Sequence, residues 1–264
     1  MKRCYFLLSW TLLSILLISN DTYAFDIIGL QPLAPNGVFS TFSAESLPKN
    51  KSSLEIGAER SRESDFYRFS LKGAYGITDN LEFNLMIPYV YNYSGSIDGL
   101  EDISLGFKHR FYDEGKYGPS LAYLINASLS TGHDGLGSNG RIGVGVILSK
   151  RVGPFSGHLN IFYEKPGSDK LKDEVSFAGG IEFSASHNFE ILGEIFTRKG
   201  HFTEKYDQVE ARFGYRIKTT DFVYTTIGVG LDIKDRNPEY RVMLSVCLTT
   251  SHGKKKIKKI FEEE

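Results

Sequence analysis

Apolar and polar residues alternate along most of this chain with a period of two. Near residue 81, for example, Leu81, Phe83 and Leu85 share one face of an extended strand, while Glu82 and Asn84 share the other. Side chains of a strand point alternately to opposite faces, so the pattern predicts strands with one apolar and one polar face. Because the pattern recurs almost without pause, the chain is predicted to be all-β.

Each alternating run is close to the ~9–11 residues that a tilted strand needs to cross a bilayer. The predicted strands cover residues 53–60, 66–76, 81–91, 102–112, 119–131, 141–151, 155–164, 173–184, 188–198, 206–217, 222–233 and 239–249. Their number is even, as in bacterial single-chain barrels. We therefore expect a transmembrane antiparallel β-barrel of about 12 strands over residues 52–250.

The connections between the predicted strands alternate between tight and loose. The tight ones lie at residues 76–80, 152–154, 185–188 and 218–221, and the looser ones at 94–100, 132–140 and 165–172. Outer-membrane barrels have short periplasmic turns and longer extracellular loops. The tight turns, and with them both chain ends, are therefore expected in the periplasm.

A soluble sandwich or a lipocalin-like barrel is the competing interpretation, in which the apolar face points inward. Periodicity alone does not decide which face is inside. The chain has 19 Phe and 15 Tyr, a richness in aromatic residues that suits the girdles of membrane barrels. Together with the number of strands, the charge-depleted apolar faces and an export signal, it favours the membrane interpretation.

Residues 1–24 are predicted to be a secretory signal peptide. Lys2 and Arg3 precede an apolar run over residues 5–18, and small residues stand before Phe25 at the expected cleavage site. Export of a barrel of this kind implies the bacterial outer membrane. Cys4 is lost with the signal, so Cys247 has no partner for a disulfide in the mature chain.

Two segments flank the predicted barrel. Residues 25–51 alternate poorly and contain Pro32, Pro35 and Pro48; they could enter the lumen as a plug, add an edge strand or stay in the periplasm, and partial insertion is favoured. Residues 251–264 form a basic periplasmic tail. The tail could rest on anionic phospholipid, but a solvated tail is the more common outcome.

If the apolar face meets lipid, the charged residues of the strands line the lumen. The predicted lumen-lining residues are Arg68, Lys72, Glu82, Asp102, Lys108, Arg110, Glu174, Glu182, Glu190, Glu194, Glu210, Arg212, Arg216 and Arg241. Opposite charges on neighbouring strands can pair. A conducting path and a salt-bridged interior that stiffens a closed barrel therefore remain open alternatives, since about twelve strands enclose an intermediate lumen.

Motifs for catalysis or cofactor binding are not convincing, and we expect neither an enzyme nor a cofactor. The glycine run at residues 135–140 has the letters of a dinucleotide fingerprint but is followed by a strand instead of a helix. The strand map brings together no specific Ser–His–acid set. No metal site is expected either, although His133-Asp134 could bind a cation, and a formal net charge of -1 gives no reason to expect nucleic acid as a partner.

Several stretches resemble one family of outer-membrane proteins. Residues 99–111 read GLEDISLGFKHRF, residues 75–83 read YGITDNLEF and residues 87–89 read IPY. Together with a threonine-glycine segment at residues 130–138, they resemble the family named for the MetA pathway of phenol degradation. The chain departs from the family pattern at His109, at Ser130 and in its basic tail, which replaces a terminal aromatic residue.

This resemblance implies a barrel that helps hydrophobic or aromatic compounds to cross the outer membrane. The leading hypothesis is therefore passive or facilitated passage of small molecules, with outer-membrane lipids, the barrel assembly machinery and a small solute as partners. A closed structural or surface-binding barrel is the alternative, and a lipid-modifying enzyme is a third, weaker one.

Overall fold

The structure is a computed structural model, which describes residues 29–61, 66–93, 96–133, 136–169, 171–199, 206–234 and 240–250. The predicted signal peptide and basic tail lie outside these residues. Within the described ranges, no helix has the length and apolar character needed to cross a membrane.

Long antiparallel strands account for most of the described chain. In chain order the strands are β1 (Gly37–Val38), β2 (Thr41–Phe42), β3 (Ser52–Ser61), β4 (Phe66–Gly76), β5 (Leu81–Tyr93), β6 (Ile97–Leu100), β7 (Ser104–Tyr112), β8 (Ser120–Ser128), β9 (Arg141–Val152), β10 (Phe155–Pro166), β11 (Glu174–Ser186), β12 (Phe189–Lys199), β13 (Tyr206–Thr220), β14 (Val223–Asp232) and β15 (Tyr240–Thr249). The strands that the alternation predicts correspond to β3 to β5 and β7 to β15.

The sheet closes on itself. Each long strand pairs with its neighbour in sequence, and the first, β3, pairs with the last, β15, where Gly57 lies opposite Ser245. The short strand β6 only extends β5 at one end, so 12 of the 13 strands in the large sheet form the barrel. Closure leaves no unpaired strand edge, which is the condition for placing a sheet in lipid. The predicted 12-stranded antiparallel barrel is confirmed.

The apolar face of the barrel points outward. Phe107, Val144 and Phe213 lie on it and are 49%, 49% and 60% exposed, whereas inward-facing Arg68 and Lys108 are 2% and 1% exposed. A soluble barrel would reverse this arrangement, because water would then meet the charges. The soluble interpretation is therefore wrong, and the outer wall is built to face acyl chains.

Two departures from the predicted strand map lie near the loops. The predicted strand at 119–131 ends at Ser128. Beyond it, Leu129 N–H donates to Ile103 O and Thr131 Oγ1 accepts from Ile103 N–H, so the chain continues as a loop. Within the predicted loop at 94–100, β6 forms a hairpin with the C-terminal half of β5. Neither feature has an alternating pattern of its own that would reveal it.

Replacing Val146 by arginine places a charge near the middle of β9, on the outer face where Val146 is 54% exposed. Arginine near the bilayer midplane costs ~2–4 kcal/mol, and we expect the free energy of unfolding in lipid vesicles to fall by that amount. Urea titration measures it, with Val146→Leu as the control of unchanged stability. An arginine variant as stable as this control would show that the outer face does not meet lipid.

Candidate functional site: a plugged lumen

The described part of the N-terminal segment is residues 29–51, and we refer to it as the plug; residues 29–47 lie inside the barrel. Its strands β1 and β2 form a small hairpin, with Val38 opposite Thr41. Both of these side chains are fully buried. Residues 48–51 then reach the turn at one end of the barrel, where Asn50 N–H donates to Gly76 O at 2.8 Å. Of the three positions open to residues 25–51, the lumen is the one that residues 29–47 occupy.

Carboxylates of the wall bind backbone N–H groups of the plug. Glu194 accepts hydrogen bonds from Ser40 N at 2.9 Å and from Thr41 N and Thr41 Oγ1 at 2.8 Å. Glu55 accepts from Ala34 N at 2.8 Å. Glu82 accepts from Leu47 N at 2.6 Å. These bonds use the amides that a short hairpin cannot satisfy by itself.

Cations of the wall bind the plug's carbonyl groups in the same way. Lys108 Nζ donates to Ser43 O at 3.2 Å and to Glu45 O at 2.6 Å. Lys72 Nζ donates to Pro32 O at 3.3 Å. Arg216 donates to Pro35 O and Gly37 O.

Asn160 of β10 bonds the plug backbone in the way that a neighbouring strand would. Its Oδ1 accepts from Phe42 N at 2.6 Å, and its Nδ2 donates to Phe42 O at 2.9 Å. A single amide side chain thereby satisfies both backbone groups of one residue. The wall recognises the plug mainly through its backbone.

The charges that hold the plug are also paired with one another. Lys72 lies 3.1 Å from Glu55, and Lys108 lies 3.2 Å from Glu82. Arg216 contacts Glu182 at 3.2 Å. Each of these charges therefore has an opposite partner, and all of them except Glu182 also bond a polar plug group, which is the condition under which burial of charge is tolerated.

A second group of paired charges lies nearer the looser connections. Arg212 contacts Glu194 at 2.9 Å and Glu210 at 2.8 Å. Arg241 lies 2.7 Å from Glu59 and 3.6 Å from Glu210. Arg68 joins the same group through Glu59 at 3.4 Å. The pairs link five strands, β12, β13, β15, β3 and β4, so they brace the wall as well as line the lumen.

The plug contacts one side of the wall through apolar side chains. The contacts form a buried cluster of Leu30, Phe42, Ala44, Met86, Ala122, Leu124 and Ile147, with Phe162 packed against it. Leu30, Phe42 and Ala44 belong to the plug, and the others belong to β5, β8, β9 and β10. On this side the plug packs against the wall through apolar side chains, beside a cavity of about 60 Å³.

The structure places the sequence-predicted lumen residues in three settings. Buried among the charge pairs of the barrel are Arg68, Lys72, Glu82, Lys108, Glu174, Glu182, Glu194, Glu210, Arg212, Arg216 and Arg241, with Glu190 less buried beside Arg216. Asp102 binds a loop, accepting from Gly132 N at 2.9 Å and Ser138 N at 2.7 Å. Arg110 lies at a tight turn and donates to Asp79 O and to Asn80 Oδ1.

Several charged residues of the lumen are absent from the predicted set. Glu55 and Glu59 alternate within a predicted strand, so the period of two could have found them. Arg141 and Glu164 pair at 3.2 Å, and each lies at the end of an alternating run. Glu101 belongs to no predicted strand, and no pattern in the sequence indicates that it bonds Arg68 at 2.8 Å.

A serine and a histidine meet in the lumen, which the sequence did not predict, but they do not complete a Ser–His–acid set. Ser149 and His158 are register partners on β9 and β10, and Ser149 Oγ lies 2.7 Å from His158 Nδ1. His158 Nε2 lies 3.9 Å from Glu182, too far for a hydrogen bond. Ser149 Oγ also accepts from Ala44 N at 2.8 Å, and Glu182 bonds Arg216. Ser149 therefore binds the plug.

The cation-binding pair suggested by the sequence, His133-Asp134, includes Asp134, which lies outside the described residues. In the described ranges, no three His, Cys, Asp or Glu side chains are grouped so that they could hold a metal ion. The described part of the glycine run, residues 136–140, continues into the strand β9, and its Ser138 Oγ donates to Asp102 at 2.6 Å. The run acts as a loop closure, in agreement with its sequence context.

Replacing Lys108 by methionine leaves Glu82 buried without its cation and two plug carbonyls without a donor. Breaking a buried pair from one side costs ~3–5 kcal/mol, and we expect a loss of that size in the free energy of unfolding. The double variant Lys108→Met/Glu82→Gln removes both charges and should lose less than the single variant. Urea titration in vesicles compares them; an equal or larger loss in the double variant would contradict the pairing.

Comparison with solved structures gives the same architecture. An outer membrane channel from Pseudomonas putida F1 superposes with a TM-score of 0.61 at 15% identity, covering 78% of this chain and 98% of that one. The NanC porin gives 0.59 at 11% identity, covering 74% and 98%, and the KdgM porin 0.55 at 13%, covering 76% and 99%. With the apolar outer face, this fold places the chain in the bacterial outer membrane.

A comparison with curated proteins finds no match. The sequence does match a family model described as "Putative MetA-pathway of phenol degradation" over residues 36–244. The matched range contains most of the plug and nearly the whole barrel. The chain therefore belongs to the MetA-pathway of phenol degradation family, as its turn and strand motifs indicate.

Proposed function

We propose that this chain lets small molecules cross the outer membrane, passively or with facilitation, along a narrow path beside the plug. The observation that carries the proposal is that the plug does not fill the lumen. Cavities of about 70 and 60 Å³ remain between the plug and the wall, and one of about 150 Å³ lies among Ser149, His158 and Glu190. Spaces of this size lined by polar groups hold water.

The plug stays in place during passage. Its bonds to wall charges are of the kind worth ~1.5–3 kcal/mol each, so releasing all of them together would cost on the order of 10 kcal/mol or more. Displacing the plug would also remove the plug carbonyl and amide groups that bond buried pairs such as Lys108–Glu82. A solute that moves past a fixed plug is confined to the remaining gaps, which limits its width.

The closed structural barrel is the alternative, and the paired lumen charges support it. The residual cavities and the likeness to structures named as channels and porins favour passage. The family description names phenol degradation, and the resemblance to that family implies hydrophobic or aromatic compounds as one solute class. A wide aqueous pore is no part of the proposal, because about twelve strands enclose less than the water-filled channel of about sixteen.

The proposed role is non-enzymatic. Among the lumen contacts described above, Ser149 is the serine that lies beside a histidine. It accepts a hydrogen bond from a plug amide and is 4% exposed. Its oxygen is therefore blocked from attacking a substrate. Outer-membrane lipids and the barrel assembly machinery remain the partners that a barrel of this kind requires, and nucleic acid is not among them.

Liposome swelling and planar-bilayer recording test the proposal. We expect the mature protein to conduct weakly and to admit small solutes, because the gaps beside the plug are narrow. Deleting residues 29–47 should raise conductance severalfold, since it opens the lumen, with circular dichroism to verify that the barrel folds. The absence of both conductance and solute uptake in the intact mature protein would reject the proposal in favour of a closed barrel.

A further inference from the structure

The side of the lumen opposite the apolar cluster is lined by small side chains. Ser70 of β4 lies opposite Gly57 of β3, Gly57 lies opposite Ser245 of β15, and Ser245 lies opposite Thr226 of β14. All four belong to the lining of the 70 Å³ cavity. Because they are register partners on consecutive strands, they form one row across the wall. We call this row, with the space in front of it, the hydroxyl slot.

Charged pairs border the slot on both sides along the strands. Glu59, two residues after Gly57, contacts Arg68. Glu55, two residues before Gly57, contacts Lys72 at 3.1 Å. The bordering charges have both signs and are already paired. An ion of either sign would meet a like charge and lose hydration, whereas a neutral solute would not.

The plug faces the slot with few polar groups. Pro32, Ala34 and Phe39 line the same cavity. The Phe39 ring lies against Gly228, where an added Cβ would come within 2.3 Å of the ring. Because Gly228 has no side chain, the Phe39 ring fits against the wall at this position. The slot is thus bounded by hydroxyl groups on the wall and by mainly apolar plug residues, with Gln31 and Ser40 as the polar plug side chains in its lining.

One wall group in the slot lacks a partner. Thr226 is 9% exposed, and its Oγ1 makes no hydrogen bond within the described residues. The Nε atoms of Arg212 and Arg216, which line the same cavity, are also unsatisfied there. A buried polar group without a partner costs ~1–3 kcal/mol, so these atoms call for water or a passing solute.

We propose that the hydroxyl slot is the route past the plug, and that it selects small uncharged solutes bearing hydroxyl groups. The proposal rests on the proposed function and specifies where passage occurs and for which chemistry. The slot combines small wall residues, unsatisfied donors and a remaining cavity between charge pairs of both signs. Short alcohols and polyols match it in width and in hydrogen bonding.

Filling the slot tests this route. Ser245→Leu should lower the rate of liposome swelling in glycerol about tenfold, since a blocked constriction stops flux. Gly73→Leu is the matched control: Gly73 lies on β4 next to Lys72, and an added Cβ meets no atom within 4 Å, so glycerol flux should be unchanged. The intact protein should also admit glycerol about tenfold faster than lactate, because charge is excluded.

A cysteine variant tests the route in protein that has already folded and inserted. In a Cys247→Ser background, Ser245→Cys should react with a small water-soluble methanethiosulfonate, and the reaction should stop glycerol flux in protein that is already inserted. Gly73→Cys should leave flux unchanged under the same treatment. Failure of Ser245→Cys to react, or unchanged flux after reaction, would overturn the route.

The two proposals fail in distinguishable ways. If the unmodified protein admits neither glycerol nor lactate and does not conduct, the proposed passage itself is wrong. If it admits glycerol but Ser245→Leu and the labelled Ser245→Cys admit it equally well, passage stands and the slot is wrong. Equal entry of lactate and glycerol would overturn the selection for uncharged solutes.

Discussion

The structure depends on the hydrogen bonds between buried wall charges and the backbone of the plug. A barrel that turns its apolar side chains to lipid must keep its charged ones inside, where water alone would solvate them. Glu194, Lys108 and Arg216 instead bind both an opposite charge and the plug's amides or carbonyls. The plug thereby satisfies the charges, and the charges satisfy backbone groups that the plug's two-residue strands leave unpaired.

This mutual dependence gives the lumen two unlike sides. On one, Phe42 and Leu30 pack against apolar wall residues. On the other, the row containing Gly57 and Ser245 faces a cavity of about 70 Å³. Further cavities of about 60 and 150 Å³ lie elsewhere between the plug and the wall. The position of the plug thus determines where free space remains in the lumen.

The alternation of residues predicted the strands and most lumen charges, because strand geometry makes every second residue face inward. It could not predict the plug. Residues 29–51 lack alternation, and their bonds reach partners far along the chain, such as Thr41 with Glu194 and Phe42 with Asn160. Nor could it reveal that Ser149 and His158 meet, since that depends on strand register. Local pattern gives the faces of strands, and register gives the pairs.

Hydrogen exchange of the full chain in lipid vesicles tests most directly whether wall charges hold the plug. The account predicts that the amides of Ser40, Thr41 and Phe42 exchange as slowly as those of the barrel strands, because each has a buried side-chain acceptor. Fast exchange at these three amides, with the strands still protected, would show that the plug is not fixed in the lumen and would contradict the account.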